Sequence, residues 1–159
     1  MITEDYVSFE AAKLLKEKGF KEWCGRCYGV AVLHNGVGIS FDEECDLKDE
    51  GREDEIEYIE GGCLYDFGCD NRKEDENLYA APTLWVTMKW LREAHKLHIT
   101  VVPAPLNFEH QDIQDGWGCE VTHLSDLSYD GDYEFFQKKY PTYEEACESA
   151  IKYCLENLI

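Results

Sequence analysis

The chain has 159 residues and a formal net charge of −19, with 34 acidic against 15 basic residues. That length is enough for one self-sufficient hydrophobic core without staples. The charge argues against a nucleic-acid-binding surface, since phosphate recognition needs basic groups to replace counterions. The longest apolar runs, such as "VAVL" and "ITVV", fall far short of the roughly 20 residues that span a bilayer. The first residues, "MITEDYVSFE", carry no basic segment followed by an apolar run, so the expected compartment is the cytoplasm.

The first predicted element is a helix over "SFEAAKLLKEKGF", with Ser8 as N-cap, Gly19 ending it in a left-handed turn, and Phe20 folding back onto the last turn. "FKEWCGRCYGVAVLHNGVGISF" follows, rich in aromatic and β-branched residues and broken by Asn35-Gly36, the preferred pair for a two-residue hairpin. Two antiparallel strands are expected there. The tract "DEECDLKDEGREDE" has few apolar residues and reads as an exposed loop. In "EIEYIEGGCLYDF", Gly61-Gly62 is suited to close a second hairpin that pairs Tyr58 with Tyr65 and Ile56 with Phe67.

Pro82 stands at the start of a second helix, "APTLWVTMKWLREAHKLHI", with Leu84, Met88 and Leu91 on one face. "HITVVPAP" reads as a short strand ended by prolines, and "GWGCEVTHL" as a strand with Trp117, Cys119, Val121 and His123 in phase. Thr142 and Glu145 are spaced as a capping box for a last helix, whose stripe includes Cys147, Ala150, Ile151, Cys154 and Leu158. The expected fold is α+β: an antiparallel sheet of hairpins with about three helices on one face, in the order α-β-β, acidic hairpin insertion, α-β-β-α. Residues 1–159 form a single domain in this reading, with an acidic insertion at about 42–77. Between Asp42 and Asn77 there are 16 acidic and 4 basic residues, a net of −12.

The eight cysteines are irregularly spaced and read as reduced thiols rather than a disulfide framework. "WCGRC" resembles the thioredoxin active-site stretch, with Arg26 where that family has proline. A glycine-broken, β-rich segment follows it rather than a helix, which makes the likeness coincidental. Cys24 and Cys27 also have the spacing of half a zinc site, which Cys63 and Cys69 would complete, with Cys45 and His34 as other ligands. No cofactor is expected apart from zinc at that clip. His95 and His98 would share a metal only if the helix continued through both. Asp130, Asp132 and Glu134 alternate like the start of a calcium loop but lack its glycine and its terminal acid in place. No nucleophile elbow, phosphate-binding glycine loop or His-Glu-x-x-His motif is present, so the reading leans away from an enzyme without requiring that.

Three blocks, "MITEDYVSFEAAKLLKEKGF", "APTLWVTMKWLREAHKLHI" and "TYEEACESAIKYCLENLI", resemble the helical signatures of a family of small uncharacterised proteins of gut bacterial genomes and their phages and mobile elements. The resemblance implies a cytoplasmic accessory protein with a variable segment between the first two blocks. It assigns no activity and transfers no residue role. The first functional expectation is therefore a non-enzymatic protein that presents an acidic face, with Glu50, Glu53, Asp54, Glu55 and Glu57, to a basic protein surface, with neither nucleic acid nor membrane as partner. The alternatives are a small zinc-binding or thiol-redox protein centred on Cys24 and Cys27, and a small-molecule binder whose pocket is lined by some of the 21 aromatic residues.

Overall fold

The structure, a computed structural model, describes residues 5–72, 77–105, 114–130 and 138–159. These residues form four helices and two antiparallel sheets, an α+β fold. They group into two compact units, Met1–Phe20 with Pro82–Ile159, and Lys21–Ala81. No helix among the described residues is long and apolar enough to cross a membrane.

The first unit opens with α1 (Phe9–Glu17), capped by the Ser8 side chain, which accepts from the Ala11 N–H. Its end is the left-handed glycine turn that the sequence predicts. Gly19 has φ +85°, its N–H reaches Lys16 O, and the Phe20 N–H reaches Leu15 O. This is a Schellman arrangement, which satisfies carbonyls that a helix end otherwise leaves unpaired and turns Phe20 inward. Phe20 is fully buried, with its ring edge-on to Trp90.

Residues Leu84–His95 form the helix that follows α1 in this unit. Thr83 caps it, and its buried positions are Leu84, Thr87 and Leu91. Thr87 rather than Met88 is the fully buried member of that face, its hydroxyl satisfied by Thr83 O at 3.0 Å. The helix stops at His95 because Lys96 adopts the left-handed conformation, so His98 falls on a strand and the two histidines share no helix face. The sheet that follows has the strands Leu97–Pro105, Gln114–His123 and Tyr129–Asp130, paired in sequence order. The first of these runs through its prolines instead of stopping at them. It lies at a sheet edge, where a missing N–H costs no ladder bond, and the register shifts between Pro103 and Pro105. The final helix, Tyr143–Asn157, buries Cys147, Ala150, Ile151, Cys154 and Leu155; Leu155, not Leu158, completes the apolar stripe. Of the expected capping box, the Glu145 N–H donates to Thr142 Oγ1 at 3.1 Å. The calcium-like stretch falls largely on residues 131–137, outside the described residues.

In the second unit, β1 (Cys27–His34) and β2 (Val37–Gly38) form the expected hairpin. Asn35 and Gly36 both have positive φ, 53° and 75°, as a type I′ turn requires. Two expectations fail here. The acidic tract is not a loop: Phe41–Asp49 is a helix, α2, followed by a 3-10 turn at Glu53–Glu55. Ser40 and Glu43 make the full capping box, Asp42, Glu43 and Glu44 sit at the positive end of the helix dipole, Glu44 pairs with Lys48 one turn on, and Leu47 supplies the buried contact. Low hydrophobicity was therefore outweighed by local capping and charge order. Replacing Ser40 by alanine is expected to weaken α2 by about 1 kcal/mol. Amide hydrogen exchange in Phe41–Asp49 should then speed up about fivefold.

The second failure concerns Gly61-Gly62, which does not turn. Ile56–Tyr65 is one ten-residue strand, β3, lying antiparallel along β1, with Ile56 opposite His34, Tyr58 opposite Val32 and Tyr65 opposite Cys27. The register shifts between Gly29 and Ala31, so the glycine pair forms a bulge. A Cβ on Gly62 would lie 2.7 Å from Ala31 Cβ and 3.0 Å from Ile59 O, which explains glycine there by close approach. β4 (Tyr79–Ala80) pairs with the start of β1. Among the described residues there are thus four helices rather than about three, and the strands make two sheets rather than one.

Candidate functional site

Three places in the molecule gather chemistry. The first is the cysteine group of the second unit. Cys24 and Cys69, far apart in sequence, sit opposite each other in an isolated antiparallel bridge and exchange both backbone hydrogen bonds, Cys24 N to Cys69 O at 2.9 Å and Cys69 N to Cys24 O at 3.1 Å. Cys27 begins β1, and its thiol hydrogen-bonds with that of Cys69. Cys63 lies on β3 opposite Gly29 and interacts with the Tyr65 hydroxyl, which also donates to Val30 O. Cys24, Cys27 and Cys69 therefore come together, with Cys63 two residues along β3 from the partner of Cys27. Cys45 is placed separately, on α2, and His34 points its Nε2 at Glu55.

Burial dominates the electrostatics of these thiols. It pushes Cys24 up to about 11, with a smaller contribution from Glu22. Cys69 rises to about 12, first from burial and then from Cys27, Cys24 and Asp70. A reactive thiol needs the opposite shift, and Cys24-Gly25-Arg26-Cys27 precedes a strand instead of opening a helix, so no helix N-terminus is aimed at the Cys24 thiol as it is in thioredoxin. Among the described residues, no group of three or more His, Cys, Asp or Glu side chains is placed to hold a metal ion. The raised thiols have a consequence for stability. Below about pH 9 they are protonated folded and unfolded alike; above it, the unfolded chain releases these protons first. Stability is expected to fall as pH rises from about 9 towards 11 and 12, and urea midpoints over that range should fall less steeply in Cys69→Ala.

The second place is the acidic face. Glu50 and Glu55 clamp Arg52: its Nη1 donates to Glu50 at 3.1 Å, and its Nε and Nη2 donate to the two oxygens of Glu55 at 2.9 and 2.8 Å. These bonds, with one from His34, hold the Glu55 carboxyl down at about 2. Glu53, Asp54 and Glu57 have no ion pair among the described residues and face solvent. They stand where the 3-10 turn feeds β3. One edge of β3 pairs with β1, and no other described strand pairs with it. Its side chains are exposed on both faces, Tyr58 by 51% and Ile59 by 40%, and Phe41 at the start of α2 is 76% exposed.

The third place, in the first unit, is an open cleft of about 680 Å³ between the chain before α1 and the final helix. Its lining includes Tyr6, Tyr140 and Tyr153 and five carboxylates against two lysines. Glu148 reaches across to the α1 cap, accepting from both the backbone N–H and the hydroxyl of Ser8. Its other oxygen, Oε2, is buried without a hydrogen-bond donor among the described residues. Sequence reasoning missed this site. Glu145, Glu148, Lys152 and Glu156 recur at helical spacing opposite the apolar stripe, a pattern that reads as a solvated face. The Ser8–Glu148 contact, 140 residues apart, carries no local signal.

With these geometries in hand, comparison with known protein families, with curated proteins and with solved structures finds no match.

Proposed function

We propose that this chain is a non-enzymatic binding protein, acting in the cytoplasm of a bacterial or phage-infected cell, whose second unit docks a basic surface of another protein. The observation that carries the reading is the one-sided strand β3, preceded by the unpaired carboxylates Glu53 and Asp54 and carrying Glu57. Unpaired strand edges offer backbone donors and acceptors to an incoming strand. Here the flanking charge is negative, which selects a basic segment and speeds its encounter. Glu50 and Glu55, tied to Arg52, fix the turn that presents the free acids. Exposed Phe41, Tyr58 and Ile59 add apolar contact area.

The test is a titration with an alternating lysine–valine octapeptide, and with a glutamate–valine peptide of equal length, at rising ionic strength. The reading expects binding of the basic peptide alone, weakening with salt. Equal binding of the two peptides, or an affinity indifferent to salt, contradicts it.

A second reading is a zinc site on Cys24, Cys27, Cys63 and Cys69, supported by the pairing of Cys24 with Cys69 and the nearness of Cys27; their side chains would have to regroup around the ion, since no three of them surround one point in the structure. Native mass spectrometry of protein purified under reducing conditions would show the added mass of one zinc, lost in Cys24→Ser/Cys27→Ser. The bare polypeptide mass contradicts this reading.

A further inference from the structure

Neither reading uses the Asn35-Gly36 turn. We propose that Asn35 is a site of self-modification: the backbone nitrogen of Gly36 closes on the Asn35 side chain, ammonia leaves, and water opens the ring, with His34 as the acid that releases the ammonia. Asn35 and Gly36 lie between the paired His34 and Val37, and residues 35–38 are all exposed. The two central residues of such a turn stand outside the strand ladder, so the attacking nitrogen gives up no strand pairing. Glycine has no side chain to hinder the approach of its own nitrogen, and a Cβ built on Gly36 would meet nothing within 4 Å. The ring therefore forms in open space. The return strand is only Val37–Gly38, which leaves little structure for ring closure to displace.

What sets this pair apart from any other asparagine before a glycine is His34. Its Nε2 lies 3.2 Å from Asn35 Nδ2 and 2.9 Å from Glu55 Oε2. Asn35 Nδ2 is the atom that departs, and an amide nitrogen leaves as ammonia only after it gains a proton. A protonated Nε2, held between the Glu55 carboxylate and that nitrogen, is placed to supply it. Glu55 is fixed in turn by Arg52, whose Nη2 donates to the same Oε2 at 2.8 Å, and these bonds keep its carboxyl ionised at neutral pH. The bond from Gly36 N to Asn35 Cγ forms as the Cγ–Nδ2 bond breaks. The Gly36 amide proton passes to solvent, the His34 proton leaves with the ammonia, and the imidazole regains one from water. A water molecule then adds to either ring carbonyl and gives aspartate or isoaspartate. The first adds a charge to the turn; the second adds a methylene to its backbone, which breaks the pair of positive φ angles, 53° and 75°, that closes the hairpin.

The test holds the full chain at neutral pH and follows the peptide carrying position 35 by mass spectrometry, with released ammonia assayed alongside. The amide is expected to become an acid, as aspartate and isoaspartate together, faster in the folded chain than in the same chain unfolded in urea. Asn71, which is followed by arginine, is the internal comparison and should stay an amide. His34→Gln should slow the folded chain about tenfold or more and leave the rate in urea unchanged. Glu55→Gln, at a side chain 40% exposed, keeps an acceptor for His34 while removing the charge, and should slow the reaction to a lesser degree. In His34→Ala, added imidazole should restore part of the lost rate, which a purely structural role of the histidine would not allow. A folded chain that converts no faster than the unfolded one, a rate unchanged in His34→Gln and Glu55→Gln, or no rescue by imidazole would overturn the proposal.

Discussion

Replacing Gly116 by alanine is expected to destabilise the first unit by about 3 kcal/mol or more. Gly116 has φ +112°, outside the regions that residues with a side chain adopt readily. Its added Cβ would also stand 2.5 Å from Tyr140 O, a backbone atom that cannot rotate away. That carbonyl accepts from the Trp117 N–H at 2.8 Å, and the Tyr140 N–H returns the bond to Trp117 O at 2.8 Å. This bridge ties the second strand of the sheet to the chain entering the final helix. Alanine therefore strains its own backbone and pushes on the hydrogen bonds beside it. Thermal melting should show the first unit's transition lowered by roughly 10 °C. Gly25→Ala, at a site with nothing within 4 Å and no positive φ, is the control and should leave melting nearly unchanged.

What could be read from the sequence was local. Ser8, Gly19 and Phe20 specify the ends of α1 because each satisfies backbone groups within a few residues. Asn35-Gly36 specifies its hairpin because few other pairs tolerate two positive φ angles. Where two local rules compete, the sequence alone does not decide between them. Ser40 and Glu43 form as strong a helix start as Thr142 and Glu145, yet the density of acids around them suggested a loop. Gly61-Gly62 suits a turn or a bulge equally, and only the partner strand β1, running past both halves of β3, decides for the bulge. The two candidate sites on cysteines and carboxylates divide the same way. "WCGRC" is visible in sequence, but its meeting with Cys69 depends on a bridge across 45 positions. The cleft rests on Ser8 and Glu148, which only the packing of α1 against the final helix brings together.

The second large effect concerns the acidic edge. Neutralising Glu53, Asp54 and Glu57 together, as Gln, Asn and Gln, is expected to weaken a basic ligand about 100-fold at low salt. Each exposed charge at contact distance contributes about 1 kcal/mol, and three give about 3. The folded state should tolerate the change, since none of the three has an ion pair among the described residues. Neutralising Glu50 and Glu55 as well would release Arg52 and loosen the turn, so those two are left in place. The loss should shrink as salt is raised, because exposed charges are screened within about 10 Å at 0.1 M ionic strength.

A basic partner that adds to the open edge of β3 would pair with its free backbone groups. The most direct measurement is amide hydrogen exchange of Ile56–Tyr65, with and without the alternating lysine–valine octapeptide. Slowed exchange is expected at alternate residues, those whose N–H points away from β1, because an incoming strand pairs only that edge. Binding with no protection in β3, or with protection confined to the first unit, would contradict it.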